Sequence, residues 1–420
     1  MLIKNYRQLA RNKIRSQALE IVNAGLEAVQ PQNVLRQKIK RDGNNLEINR
    51  QKINLDKFQR IFIVGFGKAA FASAKFLEGL LADKISGGLV IDVQQGQLKK
   101  IKSVKGSHPY PSLTNLKATE KIIDILKQAN QDDLIIVIVS GGGSVLLSKP
   151  YRLTPEELGA VIKQLFQKGA DIKEINILRK HLSEIHGGRV SCLAWPASVI
   201  GLIFSDIPFA DLGLVASGPT FFDKSAKKDA GAIIKKYQLS SLPLLETPKN
   251  RKYFTKTRNF LMADGQTGLE AMSGAAKKIG FKVCLLRANL RGIASVVGPS
   301  VIRKHGEQKG LFLFSGETTV EIKGEGKGGR NQELVLAGLK HLRKGQLIAS
   351  IASDGKDNIK EAAGALADEL TLQAVKKQKL DPKKFLQNND SYRFFKKTED
   401  IIITGATGAN VSDLILLING

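Results

Sequence analysis

Four short runs in this 420-residue chain combine glycines with side chains able to handle an anion. They are Gly65-Phe66-Gly67-Lys68, Ser140-Gly141-Gly142-Gly143-Ser144, Ser315-Gly316-Glu317 and Gly405-Ala406-Thr407-Gly408. Glycine removes the Cβ that would hold a ligand away from the backbone. A helix start beyond such a turn adds unpaired N–H groups and a positive dipole end. The chemistry this points to is binding of a phosphate-containing ligand. Lys68 discriminates between ligand types, because an ammonium in the turn suits a bound or transferring phosphate better than a pyrophosphate already held by amides. Its plain alternative is a solvated lysine at a helix start. Gly65-x-Gly67-x-x-Ala70, with Asp92 at the end of the next strand, also fits a dinucleotide fingerprint, which keeps NAD(P) open as a second reading. No segment matches G-x-x-x-x-G-K-[ST], and the protein-kinase motif set is absent.

The elements that must position these turns alternate between short apolar strands and longer helical patterns. Ile61 to Val64 is a strand ending in the first turn, followed by helical spacing through Ala72, Phe76 and Leu80. Gly88 to Val93 is strand-like, Thr114 to Ala129 helical, and Leu134 to Val139 an apolar strand stopping at Ser140. Thr154-Pro155-Glu156-Glu157 opens a helix with Thr at the cap and Pro at the first position. Val199 to Phe204 is a further buried strand. The pattern predicts parallel strands covered by helices. A polar stretch over 222–258, with a helix at Asp229 to Tyr237, marks the domain connection. The second half supplies strands Asn259 to Ala263, Lys282 to Leu286, Leu311 to Phe314, Ile348 to Ala352, Ile401 to Thr404 and Leu414 to Ile418. Its helices are Thr267 to Ile279 and Asn331 to Leu342. The expected division is a Rossmann-like α/β domain over 1–225, a helical connector over 226–258 and a smaller α/β domain over 259–420. Ligands in open α/β sheets sit at the carboxyl ends of strands, so an active site in the interdomain cleft is expected.

Composition narrows the class. Sixty-five Lys plus Arg against 39 Asp plus Glu leave a formal charge of +26. That excess admits a polyanion partner or a small anionic substrate. The lysines are scattered instead of clustering with aromatics, and aromatics make up only 6% of the chain, which argues against nucleic acid. The apolar stretch Leu193 to Phe204 is short and broken by Pro196, so no membrane span is expected. The acid-free start through Leu19 has the look of a presequence. Its apolar period continues through Val22, Leu26 and Val29, however, which predicts an ordinary amphipathic helix. Two cysteines exclude a disulfide framework, and His181 and His186 miss the spacing of a helical zinc pair. The expectation is a cytoplasmic protein acting as a monomer or homodimer.

Longer motifs surround the glycine turns. They include V-G-F-G-K-A-A at Val64 to Ala70, S-H-P at Ser107 to Pro109 and V-S-G-G-G-S-V-L-L-S-K-P at Val139 to Pro150. N-I-L-R-K-H-L-S lies within Gly169 to Ser183, with S-D-I-P at Ser205 to Pro208 and A-S-G-P-T at Ala216 to Thr220. G-K-G-G-R-N-Q-E-L at Gly326 to Leu334 and T-G-A-T-G-A-N-V-S-D-L at Thr404 to Leu414 complete the set. With these runs in this order, nearly the whole chain resembles the class II glycerate kinases, the glycerate 2-kinases with a C-terminal MOFRL domain. The resemblance implies ATP-dependent phosphorylation of D-glycerate at the 2-hydroxyl, with Mg²⁺, and assigns catalysis to Lys68 and Arg330. The competing reading is an NAD(P)-dependent hydroxypyruvate reductase using Gly65, Gly67 and Asp92.

Residue chemistry agrees with the kinase roles. Phosphoryl transfer needs cations against the equatorial oxygens and in-line positioning. Lys68 supplies a mobile point charge, and Arg330 can grip a phosphate or carboxylate bidentately. Ser140, Gly141, Gly142, Gly143 and Ser144 are candidates to hold substrate or phosphate through backbone amides, with Gly65, Gly67, Lys180, Glu317 and Asn331 as further binding candidates. Asp206 and Asp354 are the candidate Mg²⁺ ligands, since Mg²⁺ favours one or two carboxylates plus phosphate oxygens. Plainer roles stand beside these. Asp206 can cap the turn before Pro208, and Glu317 can pair with Lys323. Arg179, Lys180 and His181 are successive on one helix and cannot share a face. Trp195 before Pro196 suits packing. The chain departs from the family at Ile207 to Asp211, at Asp354-Gly355-Lys356-Asp357-Asn358 and at Pro111-Ser112.

Overall fold

The structure, a computed structural model, describes residues 1–207 and 211–420; the end of the S-D-I-P run and the start of the apolar stretch after it lie outside the described residues. The chain forms two compact units. One comprises 34–206 and 211–262, and the other Met1–Asn33 with Ala263–Gly420.

The first of these opens with an antiparallel three-stranded meander, β1 (Ile39–Asp42), β2 (Asn45–Ile48) and β3 (Gln51–Asn54). Its main sheet holds β4 (Arg60–Phe66), β5 (Ile85–Asp92), β6 (Lys102–Lys105), β7 (Asp133–Val139), β8 (Ser198–Phe204) and β9 (Thr257–Ala263). The order is β6-β5-β4-β7-β8-β9, with parallel pairing from β6 through β8. The strand order reverses beside β4, and in doubly wound sheets that switch point is where ligands bind. Every residue of β7 is buried, which is why it reads as an unbroken apolar run. Register carries the consequence for function. Phe66 lies opposite Ile91 and Val139, and Val139 opposite Ile203. The segments starting at Gly67, Asp92, Ser140 and Ser205 therefore all leave the sheet at one edge. The capping box predicted at Thr154 is formed, with Glu157 N donating to Thr154 Oγ1 at 3.1 Å and Thr154 N donating to Glu157 Oε2 at 2.7 Å.

The other unit has a mixed sheet: β10 (Val283–Ile293), β11 (Gly310–Thr319), β12 (Gln346–Ile351), β13 (Gly364–Ala367), β14 (Ile401–Ile402) and β15 (Asp413–Asn419). The order is β10-β11-β15-β12-β13-β14, parallel only between β10 and β11. β15 is central and buried on both faces. Leu414, Leu416 and Ile418 enter one core, and Ile415 and Leu417 the other, as the two-residue period of a strand requires.

The unit boundaries differ from the expected division at 1–225, 226–258 and 259–420. The N-terminal helix Lys13–Ala28 buries Leu19, Val22 and Leu26 with Leu269, Met272 and Leu414, so it belongs with the C-terminal sheet. Arg15, from the presequence-like stretch, is fully buried with its guanidinium on Asp368 and Asp400. The expected connector is also part of a core. Helix Lys227–Lys236 buries Ala230 and Ile233 against Leu158, Leu165, Ile175 and Leu178. No helix among the described residues is long and apolar enough to cross a membrane.

Candidate active site

In the unit holding the parallel sheet, the glycine turns after β4 and β7 are laced together. Lys68 N donates to Gly141 O at 3.0 Å, Ala69 N to Ser140 Oγ at 3.1 Å, and Ser140 N to Phe66 O at 3.2 Å. Gly67 has φ +112°, and a Cβ there would lie 2.2 Å from Ser140 Oγ and 2.5 Å from Ser140 O. Only glycine fits this contact. Ser140 is fully buried, so its hydroxyl ties the turns together and does not face a ligand. Gly142 has φ +80°, and its missing side chain leaves room between His108 and Lys68, whose nearest atoms would be 3.3 and 3.5 Å from a Cβ. Gly141 N–H and Gly142 N–H have no acceptor among the described residues. Two such amides beside a lysine are what a phosphate cradle consists of.

Ser144 sits one residue into the short helix Gly143–Leu146. Its Oγ is 3.0 Å from Ser217 Oγ, and Ser217 in turn donates to Asn176 Oδ1 at 2.7 Å. Ala216, Ser217 and Gly218 of the A-S-G-P-T run are all left-handed, with φ 48°, 57° and 60°. Strain at the two non-glycine residues, Ala216 and Ser217, marks a shape the surroundings impose. Lys180 is buried and paired with Asp223 at 3.1 Å. Asp206 is partly exposed just past β8. Asp92 is buried and accepts from Phe71 N at 2.9 Å and Gln94 N at 3.1 Å, and burial raises its pKa to about 6. Its oxygens are thus spent on its own turn and on a helix start, not offered to a ribose. Trp195 meets Tyr253 edge-on, a packing role.

In the other unit, Arg330 is the first residue of helix Arg330–Gly338. Its Nε and Nη2 donate to the two oxygens of Asp413 at 2.6 and 2.9 Å, and Nη2 lies 3.3 Å from Glu317 Oε1. The two carboxylates outweigh burial and raise the arginine pKa well above its ordinary value. Nη1 has no acceptor among the described residues and is left to meet an anion. Glu317 therefore pairs with Arg330, whereas Lys323 pairs with Glu321 at 2.9 Å. The helix start is held by Asp357, which is fully buried and accepts from Asn331 N, Asn331 Nδ2, Gln332 N and Gln332 Nε2 at 2.9–3.2 Å. A Cβ on Gly329 would fall 2.2 Å from Asp357 O. Asn331 is buried, with its amide on Asp357 and its oxygen accepting from Ser350. It positions the helix. Asp354 is partly exposed and accepts from Lys356 N at 2.9 Å.

Asp413, Asp357, Ser217 and Asn176 carry much of this geometry and were not singled out from the sequence. Asp413 and Ser217 lie in quoted motifs; nothing local marks them as partners. Among the described residues no group of three or more His, Cys, Asp or Glu side chains is arranged to hold a metal.

Residues 17–245 match a domain of unknown function, DUF4147, and residues 310–413 match the MOFRL family. The chain is 33% identical to the D-glycerate 2-kinase of Thermotoga maritima, over 96% of this chain and 98% of that one. It is 36% identical to an Agrobacterium vitis protein provisionally named a hydroxypyruvate reductase, over 86% of this chain and 87% of the other. The crystal structure of glycerate kinase from Thermotoga maritima superposes with a TM-score of 0.84 at 32% identity, covering 97% of this chain and 99% of its own. The two family matches and the full-length similarity show that the chain belongs to the class II glycerate kinases.

Proposed function

We propose that the protein transfers the γ-phosphoryl group of ATP to the 2-hydroxyl of D-glycerate, giving 2-phosphoglycerate and ADP. The observation that carries this reading is Lys68 set against the loop whose Gly141 and Gly142 amides have no acceptor among the described residues. In the transfer, the substrate hydroxyl oxygen bonds to the γ-phosphorus, the bond to the ADP oxygen breaks, and the hydroxyl proton leaves to solvent. The loop amides hold phosphate oxygens, and Lys68 neutralises charge that spreads over the equatorial oxygens. Arg330, fixed in orientation by Asp413, offers Nη1 to an anionic group of a substrate. Asp206 in one unit and Asp354 in the other are the candidate carboxylates for Mg²⁺, which would neutralise further phosphate charge when bound. ATP is made and kept inside cells, so this reading carries a cytoplasmic location with it.

Purified protein with ATP, Mg²⁺ and D-glycerate should form ADP and phosphoglycerate in equal amounts. Lys68→Ala and Arg330→Ala should each lose most turnover while keeping the fold. Wild-type rates in both variants would overturn the assigned roles. Oxidation of NADH or NADPH on adding hydroxypyruvate would replace the reading with a reductase.

A further inference from the structure

The R-K-H run that ends helix Ile172–His181 has a second use in it. Lys180 is neutralised by Asp223 at 3.1 Å. His181 is held by Ile177 O at 2.9 Å and Glu246 at 3.3 Å. Nearby Arg189 spends its guanidinium on four backbone carbonyls, those of Lys180, His186, Leu245 and Glu246. Arg179 differs from all of these. It is partly exposed and has no carboxylate or carbonyl partner among the described residues.

Beside it is a second donor without an acceptor. His186 is 1% exposed, and its Nδ1 lies 2.8 Å from Ser183 Oγ. That oxygen already accepts from Ile185 N and His186 N, and of its two acceptors Nδ1 at 2.8 Å is much nearer than Lys149 O at 3.4 Å, so we assign its proton to Nδ1 and the ring hydrogen to Nε2. Nε2 is buried and has no partner among the described residues. Arg179 exerts the largest charge effect on this ring, which burial already holds neutral with a pKa near 3. Among the described residues neither the buried Nε2–H nor the nearby Arg179 guanidinium has an acceptor, and a buried donor left unmade is costly.

The location ties this pair to the glycine loop. Asn176 and Arg179 are three apart on one helix and share a face. Asn176 is joined through Ser217 to Ser144.

We infer that Arg179, with His186 Nε2–H beside it, binds the carboxylate of the hydroxy-acid acceptor. One guanidinium plus one neutral donor matches a monoanionic, planar carboxylate; a polyphosphate would call for more unpaired positive charge than this corner offers. The assignment rests on the glycerate kinase reading and makes Arg179 the residue that selects an acid over a neutral polyol.

The test compares wild type, Arg179→Ala and Arg179→Lys on D-glycerate and on glyceramide, its uncharged amide, with calorimetric titration of D-glycerate alongside. Loss of a bidentate contact to a charged group lowers kcat/KM for glycerate roughly a hundredfold. KM for ATP should stay within about threefold, activity on glyceramide should match wild type, and glycerate binding should fall in the titration. Arg179→Lys, which keeps the charge without the fork, should recover part of the glycerate activity. An unchanged kcat/KM for glycerate overturns the inference. So does a rise in KM for ATP alone, which would assign the pair to phosphate, or an equal loss on both acceptors. If wild type forms no product at all, the kinase reading fails. The titration then still decides whether Arg179 binds the acid.

Discussion

Asp413→Asn probes the arginine clamp with little change of shape. Arg330 Nε and Nη2 reach both Asp413 oxygens, and Asp413 is only 2% exposed. Removing one member of a buried ion pair costs about 3–5 kcal/mol. Asparagine keeps one acceptor, worth about 1 kcal/mol. Glu317, 3.3 Å from Nη2, still shares the charge, and Arg330 is itself about one-third exposed, so a further discount applies. The expected net loss is about 2 kcal/mol, or roughly 4–8 °C in Tm for a unit of this size. Activity should suffer more than stability does, because a guanidinium displaced by about 1 Å costs on the order of a hundredfold in kcat. Thermal melts and steady-state kinetics on Asp413→Asn, Arg330→Met and the double variant close a cycle. Coupling above about 1.5 kcal/mol, with the double variant no slower than Arg330→Met alone, is the expected result. Coupling below about 0.5 kcal/mol, or a wild-type kcat in Asp413→Asn, would refute the clamp.

Other outcomes follow from the same geometry. Gly67→Ala, which must place a Cβ 2.2 Å from Ser140 Oγ at φ +112°, should part the two glycine turns and lower kcat at least tenfold while most of the fold melts as before; a wild-type kcat contradicts the lacing. Asp92 has a folded pKa of about 6, above the ordinary carboxylate value. The folded form therefore holds its proton more tightly, and this residue's contribution declines as pH rises from about 4 to 6, then stays level. The stability difference between wild type and Asp92→Asn should shift by up to about 3 kcal/mol across that window, in favour of the variant at higher pH, as read by urea unfolding. Arg15→Met takes the cation from buried Asp368 and leaves Asp400 with Arg11 alone, and should destabilise by about 3–5 kcal/mol; a neutral effect would mean that the apolar gain offsets the pair.

Much of this was legible in the sequence where one segment carries its own evidence. β7 and β15 are visible because burial on both faces makes them continuous apolar runs, and the Thr154 cap because its partner lies three residues on. The glycine turns after β4 and β7 could be located from composition alone, whereas Ser315-Gly316-Glu317, expected as a turn, lies inside β11. β13 could not be seen: Gly364–Ala367 has no β-branched or aromatic residue and is a strand only because β12 and β14 flank it. The meander β1 to β3 is too short and polar to show a clear period. The partners in the site were hidden for a different reason. Asp413 meets Arg330 from 83 residues away, Ser217 meets Asn176 from 41, and no local pattern encodes such distances. The N-terminal helix was readable as amphipathic, but the sheet its apolar face covers was not.

The central claim is phosphoryl transfer to the 2-hydroxyl, and product analysis tests it most directly. Wild-type protein incubated with ATP, Mg²⁺ and D-glycerate should give 2-phosphoglycerate, resolved from the 3-isomer by phosphorus NMR or by enolase coupling without a mutase. Formation of 3-phosphoglycerate, or no phosphorylated product while ATP persists, would contradict it.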